Sequence, residues 1–213
     1  MFFRFPASYR SAIKQFQAGQ FSDALQSLNQ TIQEKPDFWE AYQLRALANS
    51  ALGYFTNAER DAQKAIQLNP DTAVNYTALG NVYWQQADFD QARRAYLDAY
   101  NLAPNVPLNQ YNLGITDFKL GHYEDARDIL RQTSKSKKLQ QKILPEHCLY
   151  LYYFLAKSEE ATGNDDNAKS SYKQMEKYRK SLDTLKEQLA NCPKKLRESM
   201  EKDVIDIEQI LSS

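Results

Sequence analysis

Glycine and proline are scarce in this chain, six and seven among 213 residues. That shortage of breakers argues against many short strands and tight turns and favours long helices. Cysteine is rarer still, with only Cys148 and Cys192. Two thiols without metal-ligand spacing give neither a disulfide framework nor a zinc site, and both read as structural. The two histidines, His122 and His147, stand in unrelated contexts. No charge of one sign is in excess, since 27 Lys and Arg face 27 Asp and Glu. A net charge of zero argues against nucleic acid and against a strongly anionic membrane surface as partners. No segment approaches the roughly 18–20 apolar residues of a membrane span, so no membrane insertion is expected. The start of the chain, MFFRFPASYR, is interrupted by Arg4 and Pro6 and makes a poor signal peptide. Hydrophobic residues, at 42%, suffice for a folded core. The default expectation is a soluble cytoplasmic protein.

Catalytic patterns are also missing. There is no Gly-rich phosphate loop, no H-E-x-x-H and no G-x-S-x-G. Cys148 follows His147, but neighbours on a helix point about 100° apart, which argues against a Cys–His pair. The carboxylate pairs Glu159–Glu160 and Asp165–Asp166 read as a solvated face and a helix start. No catalytic residue, metal site, cofactor or enzyme activity is expected.

What the sequence does have is a period. Pro36, Pro70 and Pro104 are evenly spaced and close the phrases TIQEKP, AIQLNP and AYNLAP. Aligned on them, Ala24, Ala58, Ala92 and Ala126 form one column. Gly19, Gly53, Ala87 and Gly121 form a second, each followed two residues later by Phe21, Phe55, Phe89 or Tyr123. Each unit reads as two helical stretches, A and B, separated by a turn. Small residues recur where helices would cross: Ala46, Gly80, Gly114 and Ala156 on A, and the alanine column plus Ala168 on B. Such residues let helix backbones approach closely. Ser22, Thr56, Asp90 and Asp166 are the candidate caps of the B helices.

These columns, and their repeat length of about 34 residues, resemble the tetratricopeptide repeat family. The third unit carries its motif most fully, in Tyr76, Leu79, Gly80, Tyr83, Ala92, Tyr96, Ala99 and Pro104. The fourth keeps Leu113, Gly114, Tyr123 and Ala126; the second keeps Tyr42, Ala46, Ala58, Ala65 and Pro70; the first keeps Ala12, Ala24 and Pro36. A fifth, with Tyr152, Leu155, Ala156, Gly163, Ala168 and Tyr172, follows an eight-residue insertion. The resemblance implies an all-α, right-handed superhelical solenoid of about five antiparallel helix pairs, with C-terminal capping helices. The expected units are 5–38, 39–72, 73–106, 107–145 with the insertion, and 149–182. They make a solenoid over 1–180, followed by a helical extension over 181–213.

Beyond the repeats, Asp165 to Asn191 reads as one long helix, broken at Pro193. A last helix over about Lys194–Leu211 carries Leu196, Met200, Val204, Ile207 and Leu211 on one face. Three roles stand open for it: capping the array, forming a homodimer, or occupying the groove. The insertion SKSKKLQQKILP carries Lys135, Lys137, Lys138 and Lys142 and reads as a solvated connection.

In the family, the second, fifth, ninth, twelfth and thirteenth positions of helix A face a concave groove that holds a partner. The resemblance therefore implies a peptide-binding set of Gln43, Leu47, Asn81, Trp84, Gln85, Tyr111, Ile115, Phe118, Lys119, Tyr150, Tyr153 and Lys157. The alternative for Trp84, Phe118, Tyr150 and Tyr153 is ordinary core, packed between adjacent helices or beneath the last helix. The family's best-known variant clamps the acidic C-terminus of heat-shock chaperones with Lys, Asn, Asn, Lys and Arg. Here Asn81 and Asn112 match, but Thr77, Tyr150 and Phe154 replace the cations, which disfavours a chaperone tail. The expected function is a protein-interaction scaffold or adaptor that binds a peptide or helical segment of a partner. The alternative is a constitutive subunit of a multiprotein complex, assembling through its convex face or its last helix.

Overall fold

The computed structural model describes residues 5–136 and 144–212, and all regular structure among them is helical. The chain divides into two compact units, one ending at Gln86 and the other beginning at Ala87. The first unit holds α1 (Ala7–Gln17), α2 (Phe21–Glu34), α3 (Trp39–Ala51), α4 (Phe55–Leu68) and α5 (Ala73–Gln85). The second holds α6 (Phe89–Leu102), α7 (Pro107–Lys119), α8 (Tyr123–Ser134), α9 (Pro145–Ala161) and α10 (Asp165–Met175). It continues through a 3-10 segment (Glu176–Ser181), α11 (Leu182–Asn191) and α12 (Lys194–Ser212). Of the insertion, positions 134–136 and 144–145 are described; Lys137, Lys138 and Lys142 lie outside the described residues.

Helices pair as the period predicts: α1 with α2, α3 with α4, α7 with α8, and α9 with α10. The turn within each pair is a left-handed C-cap. Gly19, Gly53, Gly121 and Gly163 have φ of +73°, +79°, +81° and +72°. The next amide reaches back five residues, as in Tyr54 N to Asn49 O at 2.8 Å and His122 N to Asp117 O at 2.9 Å. Ala87 holds the same place in the third unit with φ +52°, a left-handed conformation that an L-residue adopts only under strain.

Within each unit, the second helix of a pair then packs on the first helix of the next, as α2 on α3, α4 on α5, α6 on α7 and α8 on α9. The alanine column is buried: Ala24, Ala58, Ala92 and Ala126 are fully so, and Ala168 nearly so. A Cβ on Gly114 would stand 2.7 Å from Leu130, so only hydrogen fits where α7 crosses α8. In the first unit, Tyr9, Ala12, Ala24, Leu28 and Ala41 form a core flanked by Ile13, Phe16, Ile32, Phe38 and Leu44.

A second column ties neighbouring repeats through hydrogen bonds. Asn75 Nδ2 donates to the carbonyls of Ala65 (3.1 Å) and Asn69 (2.9 Å) at the end of α4. Asn109 Nδ2, one repeat on, donates to Ala99 (3.0 Å) and Ala103 (3.2 Å) at the end of α6. Ala65 O and Ala99 O also accept the C-cap amides of Asn69 and Ala103, so each asparagine adds a second bond at the last turn, ties the cap residue as well, and seats the next helix.

Two sequence expectations are corrected. The B helices start one residue earlier than their polar cap candidates, at Phe21, Phe55, Phe89 and Asp165, which places Ser22, Thr56, Asp90 and Asp166 inside the first turn. Their N-caps are Gln20, Tyr54, Asp88 and Asn164. Of these only Asp88 has a side-chain cap bond, accepting from Gln91 N at 3.2 Å. The expected long helix from Asp165 to Asn191 is interrupted by the 3-10 segment, in which no residue is buried. Without an apolar stripe to pack, nothing holds that stretch to the α-helical period.

Candidate protein-interaction face

The expected groove residues fall into two sets with different surroundings. Gln43 and Leu47 lie one turn apart on α3, and Asn81, Trp84 and Gln85 share one stripe of α5. These helices pack side by side, and all five side chains are half-buried. That is the state of a surface with a packed base and an accessible rim. On the same unit, Arg45 donates twice to Asp61, at 2.8 and 2.7 Å, and Asn49 adds a third bond at 3.1 Å. These bonds fasten α3 to α4 and hold its register. At the start of α3, Phe5, Pro6, Lys35, Phe38, Trp39 and Glu40 line an open recess of about 380 Å³.

The second set does not form an open groove. Tyr111, Ile115, Tyr150 and Tyr153 are buried, with Tyr111 at 3% and Tyr153 at 2% exposure. Tyr111 meets the His147 ring edge-on at 5.4 Å. Tyr150 stacks on Phe154 at 5.4 Å, and Phe118 packs on Phe154 at 5.0 Å and on Tyr123 at 5.3 Å. Tyr111, Tyr150 and Tyr153 thus belong to an interior and Phe118 is half-buried, with the last helix tied to this face at Lys119, Tyr153 and Lys157.

That helix is α12. Its predicted apolar face, Leu196, Met200, Val204, Ile207 and Leu211, is buried throughout. Its polar ties fall on the expected groove residues. Lys119 Nζ pairs with Asp203 and donates to Ser199 O at 2.9 Å. Tyr153 Oη donates to Asp206 at 3.3 Å, and Lys157 Nζ lies 3.8 Å from the same carboxylate. Lys186 pairs with Glu208 at 2.6 Å, and Arg179 donates to Leu211 O. Lys119 also sits 5.6 Å from the Phe154 ring centre. Burial raises the Asp203 carboxyl above its ordinary range, against the opposing pull of Lys119. Asp203 and Asp206 were not singled out in the sequence, although two acids at i and i+3 beside an apolar stripe were there to be read.

A polar column runs through the same A helices. Tyr83 Oη donates to Glu59 at 2.8 Å, and one repeat on Asp117 accepts from Arg93 Nε at 2.5 Å. After the insertion, Glu159 takes this place and is bonded by Arg131 (3.1 Å) and Ser171 (2.7 Å). Glu159 is therefore buried, at 2% exposure, and is not part of a solvated face; only Glu160 is exposed. Asp117, His122 and Asp125 bring ligand atoms within 4.8 Å of one another. The Arg93 guanidinium already bonds Asp117 and lies 3.8 Å from Asp125, so a protein cation fills that position.

Cys148 and His147 do not form a pair. The thiol bonds toward Tyr178, and burial raises its pKa. The imidazole faces Tyr111, and burial lowers its pKa. An un-ionised, buried thiol without a base is inert. No helix among the described residues is long and apolar enough to cross a membrane.

Comparisons with known proteins agree with this architecture. Tetratricopeptide repeat models match residues 9–73 and 73–106. Human tetratricopeptide repeat protein 13 is 31% identical over 114 residues, 54% of this chain but 13% of that protein. The Hsp70-Hsp90 organizing protein of Triticum aestivum is 27% identical over 90 residues, 42% of this chain and 16% of that one. The TPR repeat-containing protein YvcD of Bacillus subtilis is 25% identical over 163 residues, 75% of this chain and 32% of that one. The chain thus spans a minor part of each of these relatives. Among solved structures, MamA superposes with a TM-score of 0.65 at 18% identity, covering 80% of this chain and 95% of that one. TTC0263, a TPR protein of Thermus thermophilus, gives 0.62 at 19% identity over 97% and 98%. From its period, its helix pairs and these matches, the chain carries repeats of the tetratricopeptide family, matched over residues 9–106.

Proposed function

We propose that this protein is an interaction module that holds a segment of a partner protein on the α3–α5 face of its first unit. The observation that carries this reading is the pair of half-buried stripes, Gln43 and Leu47 beside Asn81, Trp84 and Gln85. A large aromatic flanked by amides can bury apolar area while bonding a peptide backbone, which is how binding energy concentrates in a few residues. The corresponding face of the second unit is engaged by α12 through Lys119, Tyr153 and Lys157, and this favours the first unit for a partner.

Relatives named as Hsp70-Hsp90 organizing proteins raise the question of a chaperone tail. The side chains at the clamp positions argue for a different ligand. Thr77 is buried and donates to Ala73 O at 3.1 Å, Tyr150 is stacked, and Phe154 is fully buried. None of the three offers a cation to a terminal carboxylate. The partner segment is instead read as one with apolar side chains and a backbone free to bond amides.

The test is capture of partners from a lysate, followed by affinity measurement with the partner so identified. Trp84→Ala is expected to weaken binding by ~1–3 kcal/mol, as truncation of a hot-spot aromatic does. Its unfolding midpoint, measured in parallel, shows whether the fold is kept. Unchanged affinity in a folded Trp84→Ala protein contradicts the assignment of this face.

A further inference from the structure

The way α12 is held describes a second ligand. Its five buried apolar residues recur at spacings of four, four, three and four, so they form one continuous stripe of a helix. Asp203 and Asp206 are one turn apart and border that stripe. The surface beneath is complementary in charge, since Lys119 of α7 and Lys157 of α9 supply two cations for the two acids. Tyr150 and Tyr153 of α9 lie beside the same acids, and Phe118 of α7 continues the aromatic cluster through Phe154. These are positions at which tetratricopeptide repeats are expected to meet a partner. The outward side of α12, from Lys194 and Lys195 through Glu201 and Lys202 to Glu208 and Gln209, is exposed and, apart from Ile205, polar. The helix thus packs along α11 and turns one face to the repeats, to which Lys119, Tyr153 and Lys157 tie it.

We propose that the α7–α9 face is a binding site for an amphipathic helix of a partner protein with two carboxylates one turn apart, and that α12 is its in-chain occupant. The partner helix would present an apolar stripe to Phe118, Tyr150 and Tyr153, and its acids to Lys119 and Lys157. Binding requires α12 to leave, so the site opens in proportion to how weakly α12 is held. This site is separate from the α3–α5 face and uses no residue of the first unit, so either reading can fail alone.

The probe is a fluorescein-labelled peptide of residues 194–212, titrated by anisotropy against the full-length chain. The wild-type chain should bind it weakly, because its own α12 competes. Full-length Asp206→Lys, in which α12 is repelled by Lys157, should bind the same peptide at least tenfold more tightly. A peptide with lysine at both 203 and 206 should bind that variant at least tenfold less tightly than the natural peptide. Circular dichroism reports whether Asp206→Lys keeps its helices; if it does not, full-length Asp206→Asn, which removes the charge without repulsion, decides by the same criterion. Equal peptide affinity for wild type and the folded variant, or indifference to the lysine peptide, overturns the proposal. So does a full-length chain that sediments as a dimer and takes up no peptide, which would assign the face to a second copy.

Discussion

At the scale of residues, the turn column shows how a sequence can bend a rule at a measurable cost. Four of its five members are glycines with φ between +72° and +81°, and the fifth is Ala87 at +52°. A Cβ in the left-handed region costs roughly 1–2 kcal/mol, partly offset by the greater chain entropy that glycine loses on folding. Ala87→Gly is therefore expected to stabilise the protein by about 0.5–1 kcal/mol, seen as a higher urea midpoint with an unchanged slope. A lower midpoint would mean that the turn is not strained. The column itself was legible from its period; the strain needed the backbone angle.

His147 gives a residue-scale prediction with a definite sign. Burial against Tyr111 depresses its pKa below the ordinary 6.5, so the native state takes up the imidazole proton less readily than the unfolded chain does. The unfolded chain then binds a proton that the native state refuses, and stability falls as pH drops through 6.5 and below. Above that value both states are neutral and the contribution is constant. Urea midpoints measured from pH 7.5 down to 5.5 should fall more steeply for the wild type than for His147→Gln. Equal slopes would contradict the burial of the ring.

At the scale of elements, the period announced the helix pairs, but the devices that fasten one pair to the next were only partly legible. Asn75 and Asn109 stand one repeat apart in plain view, yet a lone asparagine in a helix carries no signal until the carbonyls of the previous helix are placed beside it. Asn109 is 4% exposed and donates to two carbonyls. In Asn109→Asp an acceptor would face acceptors in a buried place, at a cost of about 2–3 kcal/mol or more. Chemical denaturation checks this, and a loss below about 0.5 kcal/mol, within the ordinary scatter of surface changes, would show the bond to be incidental. The caps failed to read true for a related reason. In the first three units the aromatic begins the helix, and in the fifth Asp165 does, which carries the polar residue one place inward.

The aromatic A-helix positions teach a further point about elements. Trp84 and Tyr111 occupy equivalent stripes in the repeats and suggested one groove. Their surroundings differ: Tyr111 is buried against His147 of α9, and α12 is tied to α7 and α9 at Lys119, Tyr153 and Lys157, whereas Trp84 stays half-buried. Periodicity reports which face of a helix is apolar, not which later segment folds back onto it. The stripe on α12 was visible in the sequence; its destination was not, since any apolar face of matching length satisfies the same pattern.

At the scale of the whole molecule, the repeat architecture follows from spacing alone, because a helix pair cannot bury its apolar stripe without a neighbour. The functional reading is narrower than the one the sequence suggested. Of the twelve expected groove residues, the five on α3 and α5 remain candidates for a partner, and Lys119, Tyr153 and Lys157 hold α12. The most direct check is hydrogen exchange of the full-length chain, alone and saturated with a captured partner. Slowed exchange should appear in α3 and α5, with α2 and α4 unchanged. Protection confined to α2 and α4, with none in α3 or α5, would contradict the assignment of the α3–α5 face.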